Sequence, residues 1–157
     1  MKIWIINGAN LNFLGKRDIS QYGERSYETL CDMIREKAQE ISAQVQICQS
    51  NHEGELIDKL QEAYQSKVDA LIINPGAFAH YSYALRDALE VLDCIKIEVH
   101  ISNIQKREEF RRKSLTAEVC DAVMSGFGLE GYLLAMDYLM LLCGGEKNEV
   151  QKKEQKV

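Results

Sequence analysis

The chain has 157 residues, of which 46% are hydrophobic and 27% charged, and a formal net charge of −5. That is the composition of one ordinary globular domain, large enough to bury a core without disulfide or metal staples. The acidic balance speaks against nucleic acid, which wants a basic stripe, and no apolar run approaches the ~18 residues that span a bilayer. Neither nucleic acid nor membrane is expected as a partner.

Met1-Lys2 runs straight into a strand pattern with no leader, so the cytoplasm is the expected compartment. The five cysteines (Cys31, Cys48, Cys94, Cys120 and Cys143) include no C-x-x-C pair. They read as free thiols in a reducing compartment, not as disulfides or zinc ligands.

Ile3-Trp4-Ile5-Ile6 is a continuous apolar run ending at Asn7-Gly8. It is too short for a helix and rich in β-branched residues, so it predicts a buried strand. Residues 9–25 follow with no period at all, as a long loop with glycines at 15 and 23. Loops of this length in small domains are commonly functional, and its charges and Tyr22 suggest a lid.

Ser26 is placed as an N-cap. Behind it Leu30, Met33, Ile34, Lys37, Ala38 and Ile41 mark a helix with one apolar stripe. Residues 44–49 form a second strand, 55–66 a second helix and 69–74 a third strand. That strand breaks at Asn74-Pro75-Gly76, which holds the only proline of the chain. The sequence then passes through His80 and Ser82 into a third helix carrying Leu85, Ala88, Leu89 and Leu92.

Residues 95–99 make a fourth strand, ending in His100-Ile101-Ser102-Asn103. A basic connection over 105–113, a fifth strand near 119–125 and a final helix over 129–142 complete the pattern. Gly144-Gly145 is expected to stop that helix. Residues 144–157 carry mostly charge and are expected to form a disordered tail behind a single domain at 1–143.

Strands alternating with helices predict an α/β doubly wound sheet. With right-handed crossovers, a flavodoxin-like five-stranded parallel sheet of order 2-1-3-4-5 fits best, helices on both faces. Polar clusters follow the first, third and fourth strands. In a parallel sheet those strand ends share one edge, so Asn10, Asn74, His80, His100 and Ser102 are expected around one crevice, beneath the 9–25 lid.

Histidine is the usual acid or base near neutral pH. Glu98 lies two residues before His100, on the same side of the strand, where a carboxylate can orient the imidazole. Tyr22 shares its loop with Lys16, Arg17 and Arg25. Ionising a free tyrosine at pH 7 costs about 4 kcal/mol, and a neighbouring guanidinium offsets part of that. A Tyr/Arg lid over a His/Glu floor therefore reads as a base and an acid able to remove a proton and a hydroxyl.

Each residue also has a plainer reading. Tyr22 could be a surface aromatic, His80 a cap partner, Asn74 a turn cap, and the 107–113 run a solvated face. His52 reads as a loop residue. Convergence on one sheet edge is what separates the functional reading from these. No nucleotide-binding glycine motif, nucleophile elbow or metal-ligand spacing occurs, so no cofactor or metal is expected. A non-catalytic binding module and another cofactor-free lyase or isomerase are the competing classes.

Several segments together resemble the type II 3-dehydroquinate dehydratases. They are Ile6-Asn7-Gly8-Ala9-Asn10-Leu11-Asn12, Tyr22-Gly23, Gln49-Ser50-Asn51-His52-Glu53-Gly54-Glu55, Ile73-Asn74-Pro75-Gly76-Ala77, Ala84-Leu85-Arg86-Asp87-Ala88, Glu98-Val99-His100-Ile101-Ser102-Asn103, Arg107-Glu108-Glu109-Phe110-Arg111 and Gly126-Phe127-Gly128. They run in register from about Lys2 to Leu142.

The resemblance implies conversion of 3-dehydroquinate to 3-dehydroshikimate and water, in shikimate-pathway biosynthesis or quinate catabolism, without cofactor. It implies a dodecamer of trimers. Tyr22 would be the base, Arg17 would favour its phenolate, and Asn10 would hold a water at the enolate oxygen. His100, oriented by Glu98, would protonate the leaving hydroxyl. Asn74, His80 and Arg111 would bind substrate hydroxyls, Ile101 and Ser102 its carboxylate, and Asp87 would reach a neighbouring subunit's site. Ala9, Tyr81 and Tyr83 depart from the family's usual residues at their positions.

Overall fold

The computed structural model of the protein describes the backbone of residues 1–16 and 18–154, and side chains as far as Leu142 apart from Arg17. Five parallel strands form one sheet in the order β2-β1-β3-β4-β5, as the sequence predicts. They are β1 Lys2–Asn7, β2 Gln44–Gln49, β3 Ala70–Asn74, β4 Ile95–His100 and β5 Ala122–Ser125.

The central strands carry continuous apolar runs because helices cover both of their faces. Ile3, Ile5, Ile72, Ile97 and Val99 pack with α2 (Tyr27–Glu40) and α5 (Glu130–Glu154). Trp4, Ile6, Leu71 and Ile73 point the other way, onto α3 (Glu53–Gln65) and α4 (Tyr83–Glu90). The helices start where local chemistry favours it. Ser26 Oγ accepts the amide of Thr29 at 3.1 Å, and Ser82 Oγ accepts that of Leu85 at 2.9 Å, each satisfying an otherwise orphaned N–H.

Three stretches differ from expectation. The 9–25 segment contains a 3₁₀ turn, Leu11–Phe13, and a single helical turn, α1 (Ile19–Tyr22). A 3₁₀ turn, Gly76–His80, precedes the Ser82 cap, so His80 ends one element instead of starting the next. Finally, α5 continues through Gly144-Gly145 to Glu154. Each interior glycine costs about 1 kcal/mol of helix stability, a penalty but not a prohibition, and the strong helix formers Glu146, Lys147, Gln151 and Lys152 follow. Cys31, Cys48, Cys94 and Cys120 are free; the Cys143 side chain lies outside the described residues.

The register sets the site. Asn7 of β1 is level with Asn74 of β3, and Ile73 is level with Glu98 of β4. The turns after β1 and β3 therefore meet. The Gly8 amide donates to the Asn74 carbonyl at 2.7 Å. A Cβ at Gly8 would lie 2.1 Å from the Pro75 carbonyl oxygen, and one at Gly76, where φ is +62°, would lie 2.8 Å from the Ala9 carbonyl oxygen. Only glycines let these two backbones touch. Gly8→Ala should accordingly cost about 1–3 kcal/mol, the usual range for forced overpacking, read as a lowered urea midpoint at unchanged slope.

Candidate active site

A cavity of about 110 Å³ opens at the carboxyl edge of β1, β3 and β4, where open α/β sheets bind ligands. Of the residues expected there, Asn10, Tyr22, Asn74, His80, His100, Ile101, Ser102 and Arg111 all line it. Glu98 stands behind His100. Asp87 does not line the cavity; it lies on α4, 72% exposed at its side chain and paired with Arg86 at 3.1 Å. Arg17 lies outside the described residues.

The floor is the more rigid half. Glu98 is completely buried, and its carboxylate accepts from three side chains. His100 Nε2 meets Oε1 at 2.6 Å, Ser114 Oγ donates to Oε1 at 2.6 Å, and Thr116 Oγ1 donates to Oε2. With Nε2 engaged, Nδ1 is the ring nitrogen left for the cavity.

His80 is fixed differently. Its Nδ1 lies 2.8 Å from the Lys113 carbonyl, which can only accept, so the neutral ring carries its proton there and offers Nε2 as an acceptor. The two imidazoles stack at 6.3 Å, 15° apart. Burial, above all, holds His80 below the ordinary histidine value; the Lys113 carbonyl opposes this, while His100 and Arg111 push it further down.

Asn74 is oriented by its surroundings. Its Oδ1 accepts the Gly76 amide at 3.2 Å, and its Nδ2 donates to Tyr132 Oη at 2.9 Å. The Tyr132 hydroxyl in turn donates to Asn7 Oδ1 at 2.6 Å. Both the turn-capping and the cavity-lining readings of Asn74 hold at once. Asn10, in the left-handed region at φ 66°, donates its amide to Asn51 Oδ1 at 2.8 Å; asparagine tolerates that conformation better than most residues.

The lid half centres on Tyr22, at the end of α1. Arg107 Nη1 donates to Tyr22 Oη at 3.2 Å and to Ser102 Oγ at 3.0 Å, and its guanidinium lies 5.6 Å from the Tyr22 ring centre. The hydrogen bond to Tyr22 is the main reason Arg107 is held above its ordinary value. Two other cations of the lid are engaged elsewhere. Arg25 pairs with Glu130 at 2.6 Å, and Lys16 lies over the Phe13 ring at 5.8 Å.

Sequence reasoning assigned no role to Arg107, Ser114, Thr116 or Tyr132. Arg107 was visible as part of a basic run, but nothing in that run singles it out. The three hydroxyl residues meet the site only through long-range packing.

The arrangement places a phenol with a guanidinium, and an imidazole backed by a carboxylate, on one cavity. The model of the family "Dehydroquinase class II" matches residues 1–140. The chain belongs to the class II dehydroquinase family. Among its relatives, the 3-dehydroquinate dehydratase of Lachnospira eligens is 58% identical over 87% of this chain and 94% of its own length. That of Thermotoga maritima is 55% identical over 88% and 94%. The crystal structure of type II dehydroquinase from Butyrivibrio crossotus superposes with a TM-score of 0.87 at 54% identity, covering 88% of this chain and 97% of that one. A 3-dehydroquinate dehydratase-like protein from Bifidobacterium longum is more distant, with a TM-score of 0.68 at 28% identity, covering 92% and 98%. The class II dehydroquinase fold and the five-stranded order found here are the same architecture. Among the described residues, no helix is long and apolar enough to cross a membrane.

The depressed value of His80 gives a pH prediction. Folding favours its neutral form, so its contribution to stability is present above the unfolded value of 6.5 and is lost as pH falls through the lower folded value. His80→Gln should therefore flatten the fall in thermal midpoint below pH 6.5, measured by calorimetry against wild type.

Proposed function

We propose that the protein dehydrates 3-dehydroquinate to 3-dehydroshikimate by an anti elimination through an enolate. The observation that carries this reading is a dehydroquinase match over residues 1–140 laid on a cavity that Tyr22 and His100 share.

In this reading Tyr22, as phenolate, takes the C2 proton, and the electron pair of that bond enters the C3 carbonyl to give the enolate. The guanidinium of Arg107 beside the phenol oxygen favours negative charge there before the transfer, and Arg17 is assigned the same task. A water held by Asn10 donates to the enolate oxygen, which needs donors placed in advance. Collapse of the enolate expels the C1 hydroxyl. His100, protonated on both nitrogens, gives that hydroxyl its Nδ1 proton and leaves as the neutral ring, its Nε2–H still on Glu98. Base and acid come from different elements, a lid turn and a strand end, so each can address one face of the substrate ring.

Binding is assigned to groups whose polarity the structure supports. His80 offers an acceptor nitrogen to a substrate hydroxyl, and Asn74 keeps one N–H beyond its bond to Tyr132. Arg111 takes a further hydroxyl; Ile101 and Ser102 take the carboxylate. No metal or organic cofactor enters these steps. Residues 1–143 form the catalytic domain in this reading, and the cytoplasmic shikimate or quinate pathway is its setting.

Pure protein given 3-dehydroquinate should produce the ultraviolet absorbance of a conjugated enone. No signal from folded protein refutes the reading. Tyr22→Phe should lower kcat by at least about 1000-fold, the scale of losing the proton acceptor itself, with substrate still bound by calorimetry. Wild-type kcat in that variant excludes Tyr22 as the base.

We also infer a homododecamer in which Asp87 completes a neighbour's site. Support comes from its exposed place on α4, outside its own cavity, and from the exposed Tyr81 and Tyr83 beside it. Asp87→Ala should raise KM, and sedimentation should find no active monomer; a fully active monomer overturns the sharing.

A further inference from the structure

Residues Lys113–Thr116 connect the basic loop after β4 to the 3₁₀ turn Thr116–Val119, and they touch His80 and the carboxylate behind His100 without lining the cavity. The Lys113 carbonyl holds His80 Nδ1 at 2.8 Å. Leu115 donates its amide to the Ala79 carbonyl at 2.7 Å, tying the segment to the turn that carries His80. Ser114 and Thr116 donate to the two oxygens of Glu98.

The two hydroxyls also lie 3.2 Å apart, where either could donate, but each has a nearer acceptor in a Glu98 oxygen, at 2.6 Å for Ser114. Ser114 Oγ accepts the Ala117 amide at 3.2 Å, so its proton is free to go to Glu98. Thr116 is completely buried, where a hydroxyl must use its proton. Each carboxyl oxygen therefore already has a hydroxyl donor aimed at it. An acid proton on Glu98 would have to compete with one of them, so the proton shared with His100 stays on the imidazole.

Resting on the dehydratase reading, we infer that Ser114 and Thr116 are positioning residues. Through Glu98 they keep the proton on His100 Nε2 and so keep Nδ1 as the nitrogen that serves the leaving hydroxyl. The other ionisable groups facing this pair are His80 on the turn before α4, Arg107 and Arg111 from the loop after β4, Cys120 ahead of β5, and Tyr22 on the lid. None of them hydrogen-bonds Glu98 among the described residues, so the two hydroxyls are its only other donors there.

Loss of the Thr116 hydroxyl leaves the carboxylate less able to hold its charge. The shared proton then moves toward Glu98, and a smaller share of the enzyme carries the imidazolium. Thr116→Val, which keeps the shape, should therefore lower kcat roughly 10- to 100-fold, the range set by one hydrogen bond to a charged group. KM should stay within about twofold. Thr116→Ser should restore kcat, and Ser114→Ala, in a less buried place, should repeat the effect if Thr116→Val does not fold.

A readout independent of turnover is the imidazole ¹⁵N–¹H spectrum, which has only three histidines to assign. Wild type should show a slowly exchanging His100 Nε2–H, in the neutral ring and the imidazolium alike, and Thr116→Val or Ser114→Ala should lose that protection. Unchanged His100 signals together with unchanged kcat in both variants overturn the inference. If wild type shows no turnover, the dehydratase reading fails separately, and the ring spectra still decide whether Ser114 and Thr116 hold the tautomer.

Discussion

A fully buried carboxylate sits at the centre of this structure, and among the described residues no lysine or arginine pairs with it. Removing such a charge from water costs several kcal/mol even after relaxation. Three hydrogen bonds from His100, Ser114 and Thr116 stand against that cost, at about 1.5–3 kcal/mol each for donors to a charged group. The two sums are of similar size, so no donor can be removed without consequence. Glu98 belongs to β4, Ser114 and Thr116 to the segment that crosses behind it, and His100 to the strand end. The cost of burying one charge thus binds β4 and the segment behind it into a fixed geometry.

That geometry depends in turn on parallel pairing. Level registers bring Asn7 beside Asn74 and Glu98 beside Ile73, two residues before the end of β4, so polar side chains gather where the strands stop and the backbone turns away. Ahead of those ends the buried stretches of the same strands are apolar except for Glu98, which with His100 makes up their buried ionisable residues, and Glu98 is placed where a loop can reach it. Contact between the turns after β1 and β3, made possible by Gly8 and Gly76, closes the floor on the other side. Tyr132 stitches both strand ends from beneath, through Asn7 and Asn74.

Strand order, helix faces and the Ser26 cap were legible in the sequence because each is a local pattern with one dominant cause: an unbroken apolar run, a 3.6-residue stripe, a hydroxyl ahead of it. Most of the cavity was legible for the same reason, since strand ends can be located and their shared edge follows. Arg107 was not, because Lys106, Arg107, Arg111, Arg112 and Lys113 look alike in sequence. Two 3₁₀ turns, Ile104–Lys106 and Glu109–Arg111, decide which of them face the cavity, and short turns leave no periodic trace. Ser114 and Thr116 act across 16 and 18 residues of separation from Glu98, a pairing that only the packed fold creates. The helix running past Gly144-Gly145 was misjudged because two glycines weaken a helix without ending it.

The two halves of the cavity are built on opposite principles. The histidine half rests on β4 and its supporting segment: Glu98 is fully buried and takes three hydrogen bonds, while one ring nitrogen of each histidine is fixed and the other is left to the cavity. Tyr22 belongs to one helical turn in a long connecting segment, and it reaches the core through Arg107, which spans from the tyrosine to Ser102. On the proposed roles, an acid that must deliver to one oxygen would gain from rigidity, whereas a base over the mouth of the cavity would have to let substrate past. Arg107 joins the two halves: its side chain is mostly buried, and it bridges the Tyr22 phenol to Ser102 of the floor. On the proposed mechanism, the cation that would favour the phenolate is tied to the floor while the base is carried by the lid turn.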